Sequence, residues 1–137
     1  MTGSWRPRAV AVPGLMDPGP FAYSQCVLAG PLIFVAGQMG VDELGRVVSP
    51  DFAGQVTQTF RNIERALHEV GSDLDHVVNM TTFLTDMRYA GELVRIRREM
   101  FDGSPPAGAL VGVDSLAWPE VSVEIQAIAV LPDGAAR

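Results

Sequence analysis

Residues 51–70, with the sequence DFAGQVTQTFRNIERALHEV, contain the strongest periodic pattern in the chain. Apolar side chains recur there at spacings of 4, 4, 3, 4 and 3, which places them on one face of an α-helix. Asp51 stands where a helix N-cap is expected, and Gly71 follows the segment, where glycine commonly ends a helix. The segment therefore predicts a long amphipathic helix that covers an apolar surface. Its apolar positions are Phe52, Val56, Phe60, Ile63, Leu67 and Val70.

The covered surface is predicted to be a β-sheet. In residues 121–131 the odd-numbered positions are apolar and point to one face, whereas Ser122, Glu124 and Gln126 point to the other. The order of elements predicts an α+β protein, with a mixed sheet and two helices packed on one face. Further strands are predicted at 9–12, 26–29, 32–38, 76–85 and 107–113, a turn with a short strand at 42–48, and a second helix at 92–101.

Composition excludes several classes of function. The chain has 137 residues, a net charge of −6 and ten basic residues, all of them arginine. Without lysine the chain cannot form the lysine Schiff base of a pyridoxal-phosphate enzyme or aldolase, and it has no phosphate-loop lysine. The lone Cys26 has no disulfide partner, and no cysteine and histidine set has zinc-site spacing. The negative net charge argues against nucleic acid as a binding partner. We therefore expect no cofactor, no metal site and no nucleic-acid partner.

Length and composition predict a single compact domain over residues 1–137, with its core at about 20–130 and a frayed tail after 131. The longest apolar run, residues 28–36, contains Gly30 and Pro31 and is too short to cross a membrane. The N-terminus lacks a signal peptide's apolar stretch, so we predict a cytoplasmic protein without membrane contact. A positive mean hydropathy favours an oligomer that covers apolar surface.

Glu124 is the first candidate for a functional side chain. It lies in the middle of the last predicted strand, on the face that two helices leave uncovered. If that face packs against another subunit, desolvation raises the pKa of the carboxyl and equips it as a general acid or base. If the face is solvated, Glu124 is an ordinary exposed strand residue. A single carboxylate is a weak catalytic signal, and the pattern by itself favours the second interpretation.

Six segments occur in a distinctive order. They resemble, in the same order, the motifs PYSQA, VFVSGQ, Q(T)xxxxxNI, VVKxTVFLTDM, PPARS and VEIEAIA of the RidA/YjgF/UK114 family, many of whose members are enamine/imine deaminases. The resemblance extends over residues 20–130 or so. The matching segments are AYSQC at 22–26, IFVAGQ at 33–38, QVTQTFRNI at 55–63, the segment 77–87 that ends in FLTDM, PPA at 105–107 and VEIQAIA at 123–129.

The resemblance implies a chorismate-mutase-like fold and a homotrimer with small-molecule clefts between its subunits. It implies that Glu124 holds a water molecule that attacks an imine carbon, so that ammonia leaves and a carbonyl compound remains. It further implies that the hydroxyl group of Tyr23 and the backbone at Gly37 line the pocket. The open sheet faces would then close around the trimer axis, so the face that carries Glu124 would pack against other subunits instead of being solvated.

The sequence departs from the family pattern at two polar positions. Gly108 replaces the arginine of PPARS, which the resemblance implies to bind the substrate carboxylate, and Ala36 replaces the serine of VSGQ. Charge-assisted hydrogen bonds contribute roughly 1.5–3 kcal/mol each, so losing a bidentate pair predicts about 10²-fold weaker binding of small 2-imino acids. We expect a roomier, more apolar pocket, lined also by Ala109, Leu110 and Met39, that suits a larger uncharged imine, enamine or carbonyl compound.

Other interpretations stay open. The scaffold can also serve as a non-catalytic binding or regulatory trimer, although the retained Glu124 and Tyr23 favour a hydrolase. Some members of the resembled family are described as ribonucleases, but the acidic charge and the lack of an aromatic and basic platform disfavour that activity here.

Two groups of arginines complete the sequence predictions. Arg88 follows TDM at 85–87, in the loop that approaches the neighbouring subunit's cleft in the resembled family, and it is a candidate for the missing cation. The alternative is a solvated loop arginine, which is the commoner case. Arg95, Arg97 and Arg98, interleaved with acidic residues, predict a solvated face of the second helix.

Overall fold

The computed structural model describes residues 5–101 and 103–132. Within these residues six strands form a single sheet of order β1-β2-β3-β6-β4-β5. Every neighbouring pair is antiparallel except β4 and β5, which are parallel and are connected through α2. The sheet is therefore mixed, as predicted. The elements are β1 (Arg8–Val10), β2 (Cys26–Ala29), β3 (Leu32–Gln38), α1 (Phe52–Glu69), β4 (Val77–Leu84), α2 (Ala90–Met100), β5 (Ala107–Gly112) and β6 (Val123–Val130).

Helix α1 confirms the predicted apolar stripe, because five of its six positions are buried and Val70 packs at the margin of the core. Its C-terminal end has the predicted glycine: Gly71 has a φ of +82°, its N–H donates to the carbonyl of His68, and the Ser72 N–H donates to that of Leu67. The predicted N-cap is wrong in its chemistry. The Asp51 side chain makes no capping hydrogen bond and accepts instead from the hydroxyl group of Ser49.

Helix α2 lies beside α1 on the same face of the sheet, with Leu93 and Ile96 buried in the shared core. It begins at Ala90, two residues before the predicted start, because a short helical turn over 87–89 leads into it. The Asp86 carboxylate accepts from the backbone N–H of Arg88 at 3.0 Å and fixes that turn. Two helices on one face confirm the predicted α+β class.

Several predicted boundaries shift by one or two residues. Strand β1 ends at Val10, and Val12 turns into the core before Pro13. Strand β6 begins at Val123, because the backbone N–H of Ser122 donates to the side chain of Gln55. The predicted turn at 42–48 is closed by an isolated bridge between Val41 and Val47. Of the predicted frayed tail, residues 133–137 lie outside the described residues.

The opposite face of the sheet carries no helix within the described residues. Phe34 on β3 and Val111 on β5 are 39% and 38% exposed there, and Phe83 and Ile128 are partly exposed between them. Glu124 pairs with Phe83 across β4 and β6 and so belongs to the same face. The uncovered face that the alternation of β6 predicts is therefore present, and it carries these apolar side chains together with Glu124 and the exposed Gln126.

Candidate functional site

The position of Glu124 follows from the alternation of β6. Val123 and Ile125 on either side of it are fully buried under the helices, so its carboxyl projects from the open face. Burial in its surroundings raises the pKa of the Glu124 carboxyl above the ordinary value, with desolvation as the cause. A carboxyl with a raised pKa holds and releases a proton nearer neutral pH than a solvated glutamate does.

A β-bulge places the backbone of Gly37 directly against this carboxyl. Val35 pairs with Ala127 and Gln38 with Ile125, so β3 contains one residue more than β6 between these pairs. A Cβ atom added at Gly37 would overlap the Glu124 carboxylate in the position that it occupies here, so the glycine leaves that space to the carboxylate. Bulges often redirect side chains beside functional sites, and this one brings bare backbone to the carboxyl.

Tyr23 lies on the loop before β2 and shares the site with Glu124. Burial, and after it the negative charge of Glu124, raise the pKa of the Tyr23 phenol, while a hydrogen bond with Gln25 opposes them. The loop is fixed by two buried glutamines that the sequence analysis did not single out. Gln38 Nε2 donates to Gln25 Oε1 at 2.7 Å, and Gln25 Nε2 donates to the carbonyl of Met16 at 2.9 Å.

A cleft of about 570 Å³ opens in front of Glu124 and Tyr23. Phe21 and Trp118 face each other at its rim, with ring centroids 6.0 Å apart and planes inclined by 62°. Of the predicted pocket residues the structure brings together Tyr23, Gly37 and Glu124, with Met39 and Ala36. The remaining lining residues were not predicted, since loops distant in sequence supply them. They are Met16, Phe21, Ala117 and Trp118.

Gln55 on α1 connects the segment before the helix with the segment that leads into β6. The residue is fully buried, and its Nε2 donates to the carbonyls of Ser49 and Glu120 at 3.1 and 3.0 Å. Its Oε1 accepts from the N–H of Ser122 at 2.8 Å, two residues before Glu124. The helix thereby fixes the start of the strand that carries the carboxyl.

The structure places the other predicted pocket residues elsewhere in the chain. Gly108, Ala109 and Leu110 line a separate cavity of about 280 Å³ at the β4–β5 edge. The side chain of Arg88 is 90% exposed and pairs with Asp86 at 2.7 Å, the arrangement of a solvated loop arginine. Within one chain these residues do not join the Glu124 cleft, and their contribution across a subunit boundary stays a prediction.

No group of three or more histidine, cysteine, aspartate or glutamate side chains suited to a metal ion occurs in residues 5–101 and 103–132. In that same part of the chain, no helix has the length and apolarity needed to span a bilayer.

The fold places the chain among α+β proteins in which two helices cover one sheet face and leave the other open. The profile of the family described as Endoribonuclease L-PSP matches residues 18–131. The chain belongs to this family, which is the RidA/YjgF/UK114 family that the sequence resembles.

Individual relatives agree with this placement. The RutC family protein of Pyrococcus abyssi is 37% identical over 108 residues, 78% of this chain and 84% of the relative. The 2-iminobutanoate/2-iminopropanoate deaminase of Rattus norvegicus is 38% identical over 111 residues, 80% of each chain. The crystal structure of yeast Mmf1 is 30% identical, with a TM-score of 0.84 over 92% of this chain and 99% of that one.

Proposed function

We propose that the protein hydrolyses an imine or enamine to a carbonyl compound and ammonia, with Glu124 as the group that activates water. The observation that carries the proposal is the desolvated Glu124 carboxyl, which lies beside Tyr23 and the bare backbone of Gly37 in an apolar cleft. Relatives that are 2-iminobutanoate/2-iminopropanoate deaminases, from rat and mouse, support the reaction class.

The chemistry requires one group that takes and returns protons. As the oxygen of water bonds to the imine carbon, the Glu124 carboxylate accepts one proton from the water and passes it to the imine nitrogen, which gives a neutral carbinolamine. Glu124 then accepts the proton of the carbinolamine hydroxyl group and passes it to the nitrogen, so that the carbon–nitrogen bond breaks as the carbonyl group forms and the nitrogen leaves as ammonia. The raised pKa suits both halves of this cycle, since the group must act as base and then as acid.

The lining of the cleft supports an uncharged substrate. Among the described residues that line it there is no arginine or histidine, and Glu124 carries the negative charge. A 2-imino acid would bring its carboxylate next to Glu124 without a counter-ion, and like charges at close range repel. The aromatic rings of Phe21 and Trp118 instead offer edges and faces to an apolar or aromatic group.

The open sheet face supports an oligomer. We propose that three copies pack through it, because Phe34, Phe83, Val111 and Ile128 form an apolar surface around Glu124 that one chain leaves exposed. Small-molecule clefts would then lie at the boundaries between copies. Sedimentation equilibrium tests this, and a monomer at micromolar concentration would contradict it.

A comparison of two imines tests the function. Phenylmethanimine, made in situ by oxidation of benzylamine with an amine oxidase, is uncharged; 2-iminopropanoate, made from alanine with an amino-acid oxidase, carries a carboxylate. We expect the protein to accelerate hydrolysis of the first well above the uncatalysed rate and that of the second far less. Equal or greater acceleration of 2-iminopropanoate would contradict the substrate assignment.

The role of Glu124 is tested with Glu124→Gln, against Glu120→Gln as the matched control. Glu120 is an exposed carboxyl in the loop just before β6. Removing a positioned acid–base group lowers kcat/KM by about 10²–10⁴-fold, whereas the control should retain the wild-type value. Undiminished turnover in Glu124→Gln would remove Glu124 from the mechanism. Saturable binding of imines without turnover would favour the alternative of a non-catalytic binding protein.

A further inference from the structure

Phe21 is an aromatic residue that the structure holds in an exposed position at the rim of the cleft. It is 57% exposed, although it belongs to a short helical turn with defined hydrogen bonds. The Phe21 N–H donates to the carbonyl of Pro18 at 3.0 Å, and the Gly19 N–H donates to Oδ1 of Asp17 at 2.9 Å. An ordered turn that leaves an aromatic ring in water forgoes the burial that normally stabilises such a side chain.

The backbone directly after Phe21 is strained. Ala22 has a φ of +60° and a ψ of +46°, and in the part of the chain that the structure describes it is the only residue other than glycine with a positive φ. A side chain makes this left-handed conformation unfavourable, and such strain tends to occur at functional sites. Ala22 separates Phe21 from Tyr23, and both of these side chains line the cleft. The strained turn therefore presents two aromatic rings to the same space.

Trp118 reaches the rim from a distant part of the chain and is anchored more firmly. It packs against Met39, Val41 and Val121, a small buried cluster separate from the main core. Its carbonyl accepts from the N–H of Val121 at 3.1 Å, which closes the turn before β6. Its ring plane is inclined by 62° to that of Phe21. Phe21 and Trp118 together form an aromatic corner, with one ring anchored and the other exposed.

The rest of the cleft suits a flat apolar group. Among the nine described residues that line it, polar side-chain groups come from Tyr23, Glu124 and the indole N–H of Trp118, and Met16 and Met39 contribute thioethers. Thioether sulfur makes favourable contacts with aromatic rings. The cleft volume of about 570 Å³ is several times the roughly 150 Å³ of a cavity that encloses benzene, so a C=N group alone would leave most of it unfilled. A substrate that fills the cleft has a large part that does not react.

We propose that the aromatic corner binds a planar aromatic group of the substrate, so that Phe21 and Trp118 select aryl-substituted imines over alkyl-substituted ones. The inference rests on the proposed function for the reacting group, because Glu124 would act on the C=N carbon attached to the ring. Two inclined rings offer surfaces on two sides, and a third ring can stack on one of them and meet the other with its edge. Binding energy from this non-reacting part then positions the reacting carbon.

Benzamide and cyclohexanecarboxamide test the ring selectivity without turnover, since both are uncharged amides and only the first has a planar aromatic ring. In ¹H–¹⁵N NMR spectra the indole N–H of Trp118 reports on the cleft, and that of Trp5, which lies against Gly30, reports on a place outside it. We expect benzamide to shift the Trp118 signal saturably and to bind roughly three- to tenfold more tightly than cyclohexanecarboxamide. Equal affinities, or a saturable shift confined to Trp5, would overturn the inference.

Phe21→Leu and Trp118→Leu should each remove most of this preference, because leucine keeps an apolar side chain without a planar ring. Trp5→Leu is the matched control, since Trp5 is also 57% exposed and lies outside the cleft, and it should keep the wild-type preference. Thermal melting establishes that each variant is folded, and the exposed Phe21 provides the test if Trp118→Leu loses stability. Wild-type preference in a folded Phe21→Leu, or an equal loss in Trp5→Leu, would refute the role of the corner.

Turnover separates this inference from the proposed function. Relative to the uncatalysed rates, kcat/KM should be higher for phenylmethanimine than for cyclohexylmethanimine, and Phe21→Leu should reduce that ratio mainly through KM, whereas Glu124→Gln should slow both reactions. Selective binding of benzamide without hydrolysis of either imine would contradict the proposed function and support the aromatic corner. Hydrolysis of both imines without any aryl preference, in turnover or in binding, would support the hydrolase and refute the corner.

Discussion

Replacing Gln55 by methionine should destabilise the protein because of the three hydrogen bonds that its side chain makes. Methionine has nearly the same length and fits a buried position, so the change removes polar contacts without opening a large cavity. The bonds to Ser49, Glu120 and Ser122 have lengths of 2.8–3.1 Å, and the residue is fully buried. At about 1 kcal/mol for each bond, the free energy of unfolding should fall by about 3 kcal/mol.

For a domain of this size that loss corresponds to a fall in Tm of about 10 °C. The assay is thermal and urea unfolding followed by circular dichroism, at equal protein concentrations. Gln58→Met is the control, since Gln58 lies on the same helix, is partly exposed and makes one bond, to Asn62 at 2.9 Å. Its cost should be about 1 kcal/mol or less. Equal losses for the two variants would refute the argument that Gln55 joins the loops beside Glu124.

Three further predictions concern titration, reactivity and space. The pKa of Glu124 is higher in the folded protein than in the unfolded chain, so ionising the carboxyl lowers the free energy of unfolding. This loss develops as the pH rises from the pKa of the unfolded chain through that of the folded protein. Glu124→Gln should therefore have a higher Tm than the wild type at pH 7 and the same Tm at pH 3. A difference in Tm that does not change with pH would contradict this. Burial raises the pKa of Cys26 to about 11, so iodoacetamide should label it only in urea. Gly108→Ala should cost about 1–3 kcal/mol in urea unfolding, since its Cβ would overlap the Met80 carbonyl, whereas Ala109→Gly should not cost as much. If Gly108→Ala were as stable as the wild type, β4 and β5 would have moved apart to admit the Cβ atom at little cost, and the expected overlap would not limit stability.

Much of the fold follows from local patterns in the sequence. The bounds of β2 and β3 match the predictions, since two β-type runs flank Gly30 and Pro31, and Gly30 has the positive φ of +58° that a tight turn requires. The stripe of α1 is equally local. Boundaries set by distant contacts were not predicted. Strand β6 begins two residues later than predicted, because the N–H of Ser122 donates to the side chain of Gln55 on α1.

The sequence by itself determined the helix α1, the alternation of β6 and therefore the face on which Glu124 stands, because these depend on periods of 3.6 and 2 residues. Only the tertiary structure decided which residues complete the surroundings of that carboxyl beside Tyr23 and Gly37. Phe21 and Trp118 meet at the cleft from loops far apart in the chain, and no period relates them. Arg95 and Arg97 also have nearly the same sequence surroundings, yet one is solvated and the other is partly buried against Thr82. Burial is a property of the packed helix and sheet together, which is why the charge pattern of α2 could not reveal it.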